Sequence, residues 1–335
     1  MGIDFSLIWI LIIFFGVMMY VIMDGFDLGI GILFPFAPDR HDRDVMMNTV
    51  APVWDGNETW LVLGGAGLLA AFPLAYSVVL SALYLPLIFM LLGLILRGVA
   101  FEFRFKAHDH ERHFWDKAFI VGSITAAFFQ GVALGAYIEG IPVVDRAFAG
   151  GAVDWFAPFP LFAGLGVVVT YAVLGSTWLI LKTEGALQTA MIRLTGPLLW
   201  ALIAFIVAVS IWTPLAHPGI AARWFSWPNM LWFAPVPLLV VFCAVQLLRS
   251  LRGAPHAAPF FYVLGLVFLG YTGLAISVWP MIIPPDITLW QAAAPPQSQG
   301  FALVGALFIV PFILMYTAWS YYVFRGKVRP EDGYH

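Results

Sequence analysis

The sequence predicts an all-α integral membrane protein of nine transmembrane helices, and three observations carry that reading. Hydrophobic residues make up 62% of the 335 positions and charged residues 10%, where a soluble domain carries about 25% charge. Mean hydropathy is +0.92. The apolar residues fall into nine runs, each long enough to cross a bilayer, which takes about 20 residues of helix. This composition excludes an ordinary water-soluble enzyme, a disordered chain and a nucleic-acid binder. The net charge of −3 decides little, because the distribution of charge matters more here than its sum.

The spans are expected near 6–33, 50–72, 75–101, 115–138, 158–181, 190–212, 229–249, 259–283 and 300–324. Backbone groups in hydrocarbon must be satisfied within the segment, and these runs are far longer than barrel strands, so helices are the only fit. The first run lacks a basic leader and a small-residue cleavage site, so it reads as a retained span rather than a signal peptide. It contains MDGFDLGIG, residues 23–31, and the second opens on VWDGNETW, residues 53–60. Gly25 and Gly29 form a small-xxx-small pair for close helix packing, and Gly64, Gly65 and Gly67 read the same way. The third span ends near Arg97. The fourth closes on Tyr137 and Glu139, with Glu139 taken as interfacial. Cys243 in the seventh run is a small buried hydrophobe, and a lone cysteine excludes a disulfide framework. Trp212, Trp224, Trp227, Trp232, Trp279 and Trp290 lie at span ends, as an interfacial aromatic belt does. No internal repeat, low-complexity tract or hidden soluble domain interrupts residues 1–335, which read as one transmembrane domain.

An odd number of spans puts the termini on opposite sides, and the basic residues decide which is which. Arg40, Arg43, Arg97, Arg104, Lys106, Arg112, Lys117, Lys182, Arg193, Arg249, Arg252, Arg325, Lys327 and Arg329 fall on one side; Arg146 and Arg223 fall on the other. In a bacterial plasma membrane this places the N-terminus in the periplasm and the C-terminus in the cytoplasm. The longest cytoplasmic loop, about 102–114, mixes both signs of charge. His108, His110 and His113 could form a metal site there, but a solvated connector is the simpler reading.

Acidic residues inside spans are costly and point to function by default. Asp24 and Asp27 stand three residues apart on one face of the first span, and Asp55 and Glu58 repeat that spacing in the second. A short loop joins the two segments, so the four carboxyls are expected to be neighbours. Asp24 lies about 28 Å along the helix from Phe5, toward the cytoplasmic side of a core about 30 Å thick. Arg97 is the expected counter-charge. Such carboxyls, bridged by water, Asn57 and Thr59, are the material of a proton relay. The bland alternatives stay open: headgroup contact, helix capping or simple pairing with Arg97. None of the seven histidines falls inside a predicted span, so no histidine pair is available to hold a haem in this bundle. Met18, Met19, Met23 and Met90 read as packing. Phosphate-cradling, nucleophile-elbow and zinc-protease motifs are absent from the sequence.

MDGFDLGIG followed by NTVAPVWDGNETWLV resembles subunit II of the cytochrome bd-type quinol oxidases. WPMIIPPDITLWQAA, residues 279–293, and LMYTAWSYYVFRGKV, residues 314–328, resemble that family's stretch between its last spans and its final helix with basic tail. The short outer loops are similar to the compact branch that includes cyanide-insensitive oxidases. The resemblance implies two four-helix bundles plus one extra helix. It also implies a partner, subunit I, which carries two b-type haems, haem d and the quinol site. The complex would oxidise quinol and reduce O2 to water, drawing protons from the cytoplasm without pumping. Carried over residue by residue, Asp55 is the first candidate for proton delivery, then Asp24 and Asp27. Glu58 is less constrained, because the family varies between Glu and Gln there. Met23 stands where the family often has Thr, which removes one hydroxyl from the path. This chain itself would ligate no cofactor or metal. A structural quinone and a small single-span third subunit are both open, since no residue identifies either.

Two other readings compete. A proton-coupled secondary transporter could use the same carboxyls, although no inverted repeat is visible. A purely structural subunit could use them to hold helices together.

Overall fold

The computed structural model describes residues 3–37, 39–108, 110–253 and 257–328. Asp109, His256, Arg329 and His335, which entered the sequence reading, lie outside the described residues. Eight helices among the described residues are long and apolar enough to cross a membrane. They include α1 (Phe5–Leu33), α4 (Pro73–Lys106), α5 (Arg112–Glu139), α6 (Pro158–Lys182) and α7 (Gly185–Ala216). The rest are α11 (Ala258–Val278), α13 (Pro296–Val323) and the run Asn229–Ser250, split into α9 (Asn229–Phe233) and α10 (Pro235–Ser250). The expected second span is the exception. It forms α3 (Trp54–Ala71), but Asp55, Asn57, Glu58 and four glycines dilute its hydropathy below that of the others.

Several boundaries differ from the expectation for local reasons. The link after α1 is not a short loop, because it folds a surface helix, α2 (Arg40–Asn48), capped by the Asp39 side chain. The helix α4 runs on through the charged residues to Lys106, which reduces the expected 102–114 loop to a tight connection before α5. The seventh run breaks at Ala234, where Pro235 has no N–H to give. The eighth ends at Val278, since Trp279 precedes a proline and takes an extended ψ of 140°. The next residues form a small hairpin, β3 (Met281–Ile283) with β4 (Ile287–Thr288), followed by the one-turn α12 (Leu289–Ala292). A second hairpin, β1 (Val143–Val144) with β2 (Ala147–Phe148), lies between α5 and α6. The short α8 (Pro218–Phe225) follows α7.

Both hairpins close the end opposite the Arg-rich loops. Gly140 ends α5 at φ +103°, a conformation side chains rarely adopt, and the chain then pairs Ile141 N–H with Pro284 O at 2.9 Å. Tyr137 donates to Ile282 O at 2.9 Å. At the start of α1, Asp4 caps the helix and accepts from Trp290 Nε1 at 2.9 Å, and that bond holds its carboxyl below the usual range.

Glycine sets how closely the inner helices approach. A Cβ on Gly29 would lie 2.1 Å from Tyr171 O, and one on Gly175 would lie 2.6 Å from Gly29 C, so α1 and α6 touch backbone to backbone. Gly93 and Gly122 do the same between α4 and α5. Gly64 and Gly67 of α3 fit against Val17 and Ile13 of α1, which runs antiparallel to it. Gly65 differs from the expectation: it has nothing within 4 Å and faces outward.

Candidate functional site

The site forms where α1, α3 and α4 meet toward the Arg-rich end. Asp24 and Asp27 share one face of α1 and are each 1% exposed. The antiparallel contact between α1 and α3 brings Asn57 over Asp27, and its Nδ2 donates to Asp27 Oδ2 at 2.7 Å. Arg97 of α4 is fully buried. It is not at the end of its span as expected, because α4 continues nine residues beyond it to Lys106. Its Nη2 donates to both Asp24 Oδ1 and Glu58 Oε1, the latter at 2.7 Å. Trp54 covers the guanidinium with its ring centroid 5.4 Å from Cζ, and Phe101 stacks on Trp54. Tyr321 of α13 donates to Asn57 Oδ1 at 2.9 Å and so joins the last long helix to the cluster.

Three of the five sequence candidates, Asp24, Glu58 and Arg97, are thus bonded together, and Asp27 lies beside them on the same face of α1, held by Asn57. Asp55 stands apart. It occupies the exposed first turn of α3, where a helix N-terminus favours a negative charge, and none of the hydrogen bonds described here reaches it. Glu58, with its side chain 29% exposed, connects the buried interior to that surface. Thr59, expected as a bridge, faces outward. Arg97 Nε and Nη1, Asp24 Oδ2, Asp27 Oδ1 and Trp60 Nε1 have no hydrogen-bond partner within the chain.

Sequence reasoning missed a second group of polar residues. Tyr171 donates to Gln130 Oε1, and Gln130 Nε2 donates to Tyr20, each at 2.7 Å. The signal for it is Gln130, an uncharged polar residue inside the fourth span. A second buried arginine, Arg104, was also missed because its sequence surroundings read as a loop. It donates to Asp116 and Asp44 at 2.5 Å each.

The described residues do not fit a haem. His41, His108, His110, His113 and His217 lie on α2, in loops or at helix ends, away from the middle of any long helix. Among the described residues there is also no cluster of three His, Cys, Asp or Glu side chains suited to a metal ion.

The family model described as cytochrome bd terminal oxidase subunit II matches residues 5–324. The chain belongs to that family. It is 30% identical over 366 residues to the cytochrome bd-I ubiquinol oxidase subunit 2 of Escherichia coli K12, covering 97% of this chain and 95% of the relative. It is 27% identical to the cytochrome bd ubiquinol oxidase subunit 2 of Bacillus subtilis, covering 98% and 97%. The structure of bd oxidase from Geobacillus thermodenitrificans shares its fold, with a TM-score of 0.76 at 18% identity over 96% of this chain and 97% of that one. Subunit II of a bd-type quinol oxidase is therefore a component of a haem-containing quinol:oxygen oxidoreductase complex and a multi-pass membrane protein. The transporter reading gives way to this assignment.

Proposed function

We propose that this bd oxidase subunit II delivers protons from the cytoplasm to the reaction centre of its partner, haem-bearing subunit I, and braces that partner in the bacterial plasma membrane. The observation that carries the reading is the buried Arg97 bridging Asp24 and Glu58, with Glu58 partly exposed and Asp55 exposed one turn before it on α3. One guanidinium faces the three carboxyls of Asp24, Glu58 and Asp27. Charge balance in a low-dielectric interior then calls for protons as well as Arg97. The five polar atoms left without partners in the chain are sites for bridging water, since buried polar groups are almost always hydrogen-bonded. Asp55 and Thr59 lie on one outward stripe of α3, unsuited to acyl chains, which favours the partner subunit as its cover.

In this reading α3 is the ninth span and the whole chain one transmembrane domain. The segment before α3 sits at the Arg-rich end, where Arg43 of α2 bonds Asp116. The residues after it meet the opposite end, where Ala294 N–H bonds Ala71 O at 2.8 Å. A chain linking those ends has to cross. Nine spans would put the termini on opposite sides, and the positive-inside bias favours a periplasmic N-terminus and a cytoplasmic Arg-rich end. The two four-helix bundles with one extra helix, the two b-type haems and haem d of subunit I, and a bound quinone or third subunit belong to the same proposal by family resemblance.

Asp55→Asn, made in the intact complex, tests the relay. Quinol-driven O2 consumption is expected to fall about 100-fold, the lower end of the range for a lost proton-transferring side chain. The reduced-minus-oxidised haem spectrum should keep its wild-type intensity. Wild-type turnover would remove Asp55 from the route. Glu58→Gln is expected to have a smaller effect, about twofold to threefold, because the amide keeps the bond to Arg97 while water beside this partly exposed side chain carries the proton past it.

A further inference from the structure

The second polar group has a direction. An amide oxygen can only accept a hydrogen bond and an amide nitrogen can only donate one. Gln130 therefore takes the proton of Tyr171 on Oε1 and gives one from Nε2 to the Tyr20 oxygen, both at 2.7 Å. With its oxygen engaged as an acceptor, Tyr20 keeps its own hydroxyl hydrogen free to donate. Tyr20 lies one helical turn before Asp24 on the same face of α1, and both side chains are buried. The Asp24 Oδ2 atom accepts no hydrogen bond from the chain and so is an open acceptor for that hydroxyl hydrogen. Tyr20 and Tyr171 are 3% and 2% exposed, so lipid does not compete for these hydroxyls. Gly25 makes room for the arrangement, since a Cβ there would sit 2.8 Å from Tyr171 Cε1.

We propose that Tyr171, Gln130 and Tyr20 form a one-way donor chain that turns the Tyr20 hydroxyl hydrogen toward the open Asp24 oxygen, through a bridging water, and so holds that carboxyl in place for Arg97. Gln130 is its key positioning residue. The chain has a second consequence. An amide in this geometry holds both of its bonds with fixed polarity, so it does not pass a net proton from Asp24 on toward Tyr171. It closes the acidic cluster on the side of α5 and α6 and leaves Glu58 and Asp55 as its open side. This inference rests on the relay reading of Asp24.

Tyr20→Phe, Gln130→Leu and the double variant, each in the intact complex, decide the matter beside Asp24→Asn. One hydrogen bond corresponds to about threefold to tenfold in rate. Tyr20→Phe is expected to lower kcat for quinol oxidation by that factor with quinol KM and haem content unchanged. Gln130→Leu should do the same, and the double variant should be no slower than Tyr20→Phe, because Gln130 acts through Tyr20. Tyr171→Phe should slow turnover less, about twofold. If Gln130→Leu fails to assemble, the hydroxyl-only variants Tyr20→Phe and Tyr171→Phe still decide. The proposal is overturned by a slow Asp24→Asn enzyme beside a Tyr20→Phe enzyme with wild-type kcat. It is also overturned by multiplying effects in the double variant, or by a change confined to KM. Wild-type turnover in Asp24→Asn would instead remove the relay role of Asp24, and this inference with it.

Discussion

Two arginines seven residues apart on α4 are both fully buried, yet they sit in opposite kinds of surroundings. Arg104 lies in a cationic network. It bonds Asp116 and Asp44, Arg43 bonds Asp116 at 2.8 Å, and Arg112 approaches Asp44 at 3.9 Å. Those bonds tie α2, α4 and α5 together, and both Arg43 and Arg104 lie over the Phe34 ring. Arg97 lies in an anionic network in which three carboxyls face one guanidinium, with several polar atoms left for outside partners. Two turns of helix bring both side chains to nearly the same face. What separates them is the count of acids brought by α1 and α3 against those brought by α2 and α5. A surplus of arginine makes a clasp. A surplus of carboxyl makes a place where protons complete the charge balance.

The largest expected effect comes from breaking the anionic network at its centre. Arg97→Leu strands Asp24 without its counter-charge, at a cost of about 3–5 kcal/mol. The assembled complex should be scarce, and what assembles should show almost no O2 consumption. If Arg97→Leu assembles and turns over normally, the contrast collapses. Asp116→Asn is the matching test of the clasp. It leaves Arg104 and Arg43 short of a shared acid, at a cost approaching the same about 3–5 kcal/mol. The melting temperature of the complex should drop, while turnover per haem stays within about twofold of wild type. A selective loss of turnover there would mean that both networks serve the chemistry.

A packing pair sharpens the contrast further, because both networks depend on the inner helices being close. Gly29→Ala forces a methyl against Tyr171 O and should destabilise the complex by about 1–3 kcal/mol in thermal unfolding. Gly65→Ala, on the open face of α3, should change the stability of this chain by less than about 0.5 kcal/mol. A clear loss of subunit association from Gly65→Ala would mark that face as the place where the partner's backbone comes close.

Membrane class, most span positions, the two acidic motifs and, through those motifs, the family are legible in the linear order of residues. Hydropathy, helix periodicity and proline placement act within a few residues of chain, so they can be read without coordinates. Asp24 and Asp27 could be placed on one face of α1 for the same reason. Helix packing selects which acids share Arg97, leaves Asp55 outside that group, and sets Asn57 between Asp27 and Tyr321. It alone makes Arg104 a buried clasp and Gln130 a director of hydroxyl protons. These are contacts between distant parts of the chain. Their partners are selected by which helix faces meet and how closely glycine lets them approach, and no local pattern encodes that.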